Sequence, residues 1–265
     1  MEEIKRLSID TVCAALCKGM GIEPPREAAD ANPYLSAYLR EKLGGNKLDR
    51  VVLYNPDAVA QWIMEKYPFH FRHVTDRAEF ALPLETVMPS VTPVCFGSLY
   101  TGAQPAVHGI QKYEKPVIRI DTLFDALLRA GKKPCIISHG KASMNEIFRE
   151  RDMDYFWYED PCGANAKAAE VILADAYDFI AVYNGNYDFS MHRYGPESHQ
   201  ALGEGTANAF TFAALHDLIQ THWQGHRTLL GFAMDHGCHE IDGNLGSHGL
   251  DMEEDLFIKH YYQVL

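Results

Sequence analysis

Thr92 stands directly before Pro93 in the run MPSVTPVCFGSLYTGAQPAVHGI (Met88 to Ile110), and the short apolar stretch that follows closes on Gly102. Proline is favoured at the first helical position because it needs no N–H partner there, and threonine is a good N-cap. The pair therefore predicts Thr92 as the cap at the mouth of a helix, where free N–H groups and the positive dipole end attract a phosphate. An isolated Thr-Pro is most often an ordinary cap, so the weight comes from acids and histidines elsewhere. Asp188 and His192 lie four residues apart, one helical turn, and both can face a single ion. Asp235 and His236 are adjacent, and His248 sits between glycines in Gly246-Ser247-His248-Gly249. Asp57 follows a short apolar run. Carboxylates brought close together repel unless cations hold them, so the pattern points to bound metal.

These residues need a scaffold that gathers them. Val51 to Tyr54, Val117 to Ile120, Pro134 to Ser138, Phe179 to Tyr183 and Thr228 to Met234 read as buried strands. Helices are predicted over Ala58 to Tyr67, after a cap at Asp121, over Ala164 to Ala174 and over Thr206 to Trp223. Such alternation predicts an α/β fold: a three-layer, doubly wound, mostly parallel sheet with helices on both faces. Ligands of such sheets bind beyond the carboxyl ends of the strands, where Asp57, Asp188 and Asp235 fall. Residues 1–48, with helical stretches at Ile9 to Met20 and Tyr34 to Leu43, form an N-terminal helical extension packed on a core of residues 49–265, a single domain overall.

At 265 residues the chain can bury a full core, and 47% hydrophobic with 23% charged residues is ordinary globular composition. A net charge of −12 leaves no basic stripe for a nucleic-acid polymer. It also means that a phosphate ligand requires local cations, which bound metals would supply. The N-terminus shows no signal-peptide pattern and no apolar run is long enough for a bilayer, so a cytoplasmic protein without a membrane partner is expected. Cys13, Cys17, Cys95, Cys135, Cys162 and Cys238 are scattered without zinc-knuckle spacing and read as reduced thiols.

In four ordered blocks the chain resembles the alkaline phosphatase superfamily, and within it the type I phosphodiesterase/nucleotide pyrophosphatase branch. The blocks are the strand ending at Asp57; Pro89-Ser-Val-Thr92 through Thr101-Gly102 to Pro105 and His108-Gly109-Ile110; Asp188-x-x-x-His192-x-x-Gly195-Pro196; and Asp235-His236-Gly237 with Ser247-His248-Gly249. The resemblance covers Arg50 to the C-terminus. It implies an alkaline phosphatase-like fold and two divalent metal ions, zinc first and manganese second. Asp57, Thr92, Asp235 and His236 would hold one ion, and Asp188, His192 and His248 the other. It further implies hydrolysis of a small phosphate ester or diester through a phosphothreonine on Thr92.

There are departures. Asn55-Pro56-Asp57-Ala58 stands where that branch usually has Asp-Gly, which displaces Asp57 slightly. Tyr113 falls where an asparagine commonly binds the phosphoryl oxygen, and is carried as a candidate substrate contact. The short span from His108 to Asp188 leaves little room for a capping domain. A sulfatase motif is absent, and the chain cannot hold the inserted domain of the cofactor-independent phosphoglycerate mutases. The alternatives are a phosphonate hydrolase or phosphoryl-transfer enzyme of the same superfamily, or a non-catalytic metal-binding relative. Lys115 and Arg193 read as surface charges, His239 is ambiguous, and a homodimer is compatible with the sequence.

Overall fold

Four apolar runs, VVLY, PCII, FIAV and TLLG, are too short for helices and rich in β-branched residues, and each forms a strand at the centre of one sheet. In a computed structural model describing residues 4–265, the strands are β1 (Leu7–Ser8), β2 (Arg50–Pro56), β3 (Phe80–Glu85), β4 (Pro134–His139), β5 (Asp154–Tyr158), β6 (Phe179–Asn184), β7 (Thr228–Phe232), the hairpin pair β8 (His239–Ile241) and β9 (Leu245–Ser247), and β10 (Phe257–Val264). The first three residues of the N-terminal extension lie outside the described residues.

The sheet order is β1-β3-β10-β7-β2-β6-β4-β5. Strands β7, β2, β6, β4 and β5 run parallel, and β10 is antiparallel to both its neighbours. β2, β6 and β7 are buried along almost their whole length, as a sheet covered on both faces requires.

The helices are α1 (Thr11–Met20), α2 (Pro33–Leu43), α3 (Gln61–Lys66), α4 (Pro68–Thr75), α5 (Thr92–Thr101), α6 (Pro105–His108), α7 (Leu123–Arg129), α8 (Ser143–Phe148), α9 (Pro161–Ala174), α10 (Asn186–Tyr194), α11 (His199–His222) and α12 (Glu253–Leu256). α1, α5, α7 and α8 pack together in one layer, and α4, α9, α10 and α11 in another. Each layer has its own aromatic seam. Tyr100 stacks on Phe124, with Phe148 and Phe179 edge-on, beneath the first, while Phe232 meets Tyr54 and Phe212 of α11 beneath the second. The architecture is the three-layer, mostly parallel α/β fold.

Several local readings change. Val117–Ile120 is not a strand: it joins the body through the Ile118 N–H to the Ile147 carbonyl, while β4 already pairs with β5 and β6. Thr122 caps α7, because its hydroxyl and the Asp125 carboxylate close a reciprocal capping box; Asp121 pairs instead with Arg129. Residues 1–48 contribute β1 to the sheet edge beside β3, and α1 is buried against α5. All six cysteines are free, five of them buried and Cys162 exposed.

Candidate metal centre

Adjacent strands deliver the acids to one edge. Asp57 directly follows β2, its N–H donating to the Asn184 carbonyl at the end of β6 (2.9 Å). Asp188 lies in the first turn of α10, which follows β6, and Asp235 comes three residues after β7. Ala58 turns the chain after Asp57 with φ 60°, a left-handed conformation that suits glycine, and its N–H donates to Asp235 Oδ1 (3.2 Å). Pro56 pairs with Asn184, so the β2–β6 pairing runs up to the residue before Asp57.

Thr92 is the first residue of α5 and not its cap. Val91, extended at φ −131° and ψ 146°, occupies the cap position without a side-chain bond. The threonine hydroxyl is turned into the acids instead, 3.3 and 3.4 Å from the two Asp57 carboxylate oxygens and 3.4 Å from His236 Nε2. Thr92, Asp57, Asp235 and His236 are all buried.

Two trios result. Asp57, Asp235 and His236 each offer a ligand atom within 4.8 Å of the others, and so do Asp188, His192 and His248. The trios adjoin, with the His236 and His248 rings 4.2 Å apart between centroids. All three imidazoles are held alike: Nδ1 of His236, His192 and His248 lies 2.9 Å from the carbonyls of Gly237, Gly246 and Ser90 respectively. A carbonyl only accepts, so each Nδ1 carries the proton. Each neutral ring then turns its Nε2 lone pair toward carboxylate oxygens 3.2–3.4 Å away. Two acceptors face to face are unfavourable unless a cation or an added proton lies between them.

Asp188 Oδ1 and Asp235 Oδ2 are buried without a hydrogen-bond partner among the described residues. Burial, and then the nearby charge of Asp188, push the Asp57 carboxyl up to about 7; burial and Asp57 push Asp235 well above the carboxylate range. Burial and His248 drive His236 down to about 3. At Asp188 burial opposes ionisation, but the imidazoles of His192 and His248 outweigh it and hold the carboxyl below its usual range. The Asp188 carboxylate raises His192, and it raises His248 against the effect of burial. Orphaned oxygens, mutually repelling carboxylates and lone pairs fixed by backbone carbonyls all fit a pair of divalent ions.

The cluster opens into a cavity of about 520 Å³. Tyr113 and Lys115 line it, with the Lys115 ammonium 5.5 Å from the Tyr113 ring centroid. Arg193 lies elsewhere, beside the Tyr194 ring. His139, Lys141, Ser143 and Tyr183 also line the cavity, and sequence reasoning missed all four. His139 and Tyr183 sit at the carboxyl ends of β4 and β6, so the rule that located the acids could have located them. Two other histidines lie outside the cluster. His108 packs on Gly97, accepts the Ile110 N–H and lies 3.1 Å from Ser98 Oγ; His239 is tied to the buried Asp255 (2.7 Å).

No protein-family model matches the sequence, and no curated protein matches it. Solved structures do. Murine ectonucleotide pyrophosphatase/phosphodiesterase 5 superposes with a TM-score of 0.60 at 16% identity, over 73% of this chain and 58% of that one. Phosphonoacetate hydrolase from Sinorhizobium meliloti 1021, in complex with phosphonoformate, gives 0.54 at 16%, over 71% of this chain and 56% of that one. The C-terminal periplasmic domain of EcEptC from Escherichia coli, in complex with Zn, gives 0.57 at 12%, over 82% and 73%. The chain thus spans less than two thirds of the length of the first two. These likenesses show that the chain shares its fold with those structures. No helix among the described residues is long and apolar enough to cross a membrane.

Proposed function

We propose that the chain is a two-metal hydrolase of small phosphate esters or phosphodiesters, with Thr92 as the nucleophile. The observation that carries this reading is the Thr92 hydroxyl at the start of α5, 3.3–3.4 Å from Asp57 and His236, facing the 520 Å³ cavity. Asp57, Thr92, Asp235 and His236 would hold one ion, and Asp188, His192 and His248 the other. An all-oxygen-and-nitrogen set suits zinc, with manganese second. When bound, the ions supply positive charge that favours the threonine alkoxide and offsets charge on the phosphoryl group.

The chain's own part is positioning. Thr92 Oγ1, its proton passing to solvent water, bonds to phosphorus as the bond to the leaving oxygen breaks, and the leaving group takes up a proton from water and departs as the alcohol. Water then attacks the phosphothreonine: its oxygen stays on phosphorus and one of its protons returns to Thr92 Oγ1, which releases phosphate from a monoester or a phosphate monoester from a diester. Among the similar structures, a murine phosphodiesterase form holding AMP is an inactive threonine-to-alanine variant, in keeping with this assignment.

Thr92→Ala should lower turnover of p-nitrophenyl phosphate and its diesters by at least roughly three orders of magnitude, about 4 kcal/mol in barrier, while metal content by elemental analysis stays at two. Undiminished turnover would sink the proposal. Cleavage of a phosphonate is a second reading, favoured by Lys115 and Lys141. Both line the cavity, and neither has a carboxylate partner among the described residues. That wall suits a substrate bearing a second anionic group, and product analysis on a phosphonate panel separates the two readings.

A further inference from the structure

Tyr183 is a residue that neither the sequence motifs nor the metal trios include. It is the penultimate residue of β6, opposite Asn55 of β2, and precedes Asn184, whose carbonyl receives the Asp57 N–H. Its hydroxyl donates a 2.6 Å hydrogen bond to Asp57 Oδ2, the shortest contact that carboxylate makes. Two rings hold it there, His139 stacked at 5.6 Å and Phe96 edge-on at 5.9 Å. His139 is itself fixed, because its Nε2 accepts the Gly185 N–H (2.8 Å). Gly185 matters in a second way. A Cβ at that position would lie 2.5 Å from the Tyr183 hydroxyl oxygen, so only glycine leaves room for the bond to Asp57.

We propose that Tyr183 is a positioning residue that assigns the two oxygens of Asp57 different tasks. Oδ2 is engaged by the phenol, which leaves Oδ1, 3.3 Å from His236 Nε2, as the oxygen offered to the ion shared with Asp235 and His236. Outer hydrogen bonds of this kind typically tune metal affinity by about 10–100-fold. The inference rests on the two-ion reading of the site.

The test is zinc titration of the full chain against a competing chelator, which needs no turnover. Tyr183→Phe keeps the buried ring and removes only the hydroxyl. It should weaken one zinc equivalent roughly 10–100-fold and leave the other within about twofold. Gly185→Ala, whose backbone at φ −99° accepts alanine, should reproduce the effect by displacing the phenol. In a His192→Ala background, which disables the other trio, the remaining equivalent should be the one that Tyr183→Phe weakens. Equal weakening of both equivalents, or none, with wild type taking up two ions, overturns this inference alone. Wild type that takes up no divalent ion overturns the two-ion reading and this inference together.

Discussion

Two cavities of nearly equal size show what separates a structural charge cluster from a site. One, of about 540 Å³, is lined by Arg26, Arg119, Arg129, Arg149 and Arg151 with Asp121, Asp125 and Glu150. Four of those five arginines have a carboxylate partner: Arg119 with Glu150, Arg129 with Asp121, Arg149 with Glu146 and Arg151 with Asp125. Every carboxylate lining it is matched by an arginine, and Arg26 alone has no carboxylate partner among the described residues. The other, of about 520 Å³, holds Asp57 and Asp188 against Thr92, His192 and His248, with Asp235 and His236 buried behind. There like charges face one another and buried oxygens lack partners. Volume does not distinguish the two; unsatisfied charge does.

If that contrast is right, divalent ions should act on one cavity only. Zinc at about 100 times its dissociation constant should stabilise the protein by about 2.7 kcal/mol per site, and a chelator should reverse it. For a chain of this size that is a rise of roughly 5–10 °C in melting temperature by calorimetry. A shift that survives removal of Asp188 and Asp235 together would break the comparison.

Next in size is the opposite experiment. The Arg151 side chain is 8% exposed and donates to Asp125 and to the carbonyls of Phe148 and Ile118. Arg151→Ala should cost about 2–3 kcal/mol in urea unfolding, because it strands those acceptors. Metal affinity and turnover per folded molecule should not change.

His260 offers a buried titratable group whose partners are complete. It is fully buried between the Met234 carbonyl (2.7 Å) and the Tyr262 hydroxyl (2.8 Å), and burial lowers its pKa from 6.5 to about 4. The native state therefore excludes a proton that the unfolded chain takes up. The stabilisation is full above pH 6.5 and is lost as pH falls toward 4. Between pH 6.5 and 5 the loss should be about 2 kcal/mol, and His260→Gln should flatten that part of the profile. An unchanged slope would show that some other group governs the acid limb.

The smallest effect lies at the turn after Asp57. Ala58→Gly relieves a left-handed alanine and should stabilise the metal-free protein by about 1 kcal/mol. A destabilised variant would mean that the buried methyl group contributes more than the strain removes.

The strands that carry the acids were legible because buried parallel strands are continuous apolar runs, as in Phe179 to Tyr183. Strands β3 and β10 were not read. Their burial alternates, and β3 carries Pro83, so neither stands out against loop sequence. Val117–Ile120 misled in the opposite direction: its apolar side chains make it look like a strand, but it pairs with none and is tied to the body through the Ile118 N–H and the Ile147 carbonyl.

By itself the sequence determined the chemical inventory: a threonine before a proline, acids at the ends of apolar runs, and histidines at helical or loop spacing from them. Residue type and near-neighbour spacing are local properties, and local periodicity reports them. Only the tertiary structure decided that the Thr92 hydroxyl faces Asp57 instead of capping α5, which imidazole nitrogen carries each proton, and that Tyr183 grips one Asp57 oxygen. Those outcomes depend on hydrogen bonds between residues as far apart as 158 positions, such as His248 to the Ser90 carbonyl, and no local pattern encodes them.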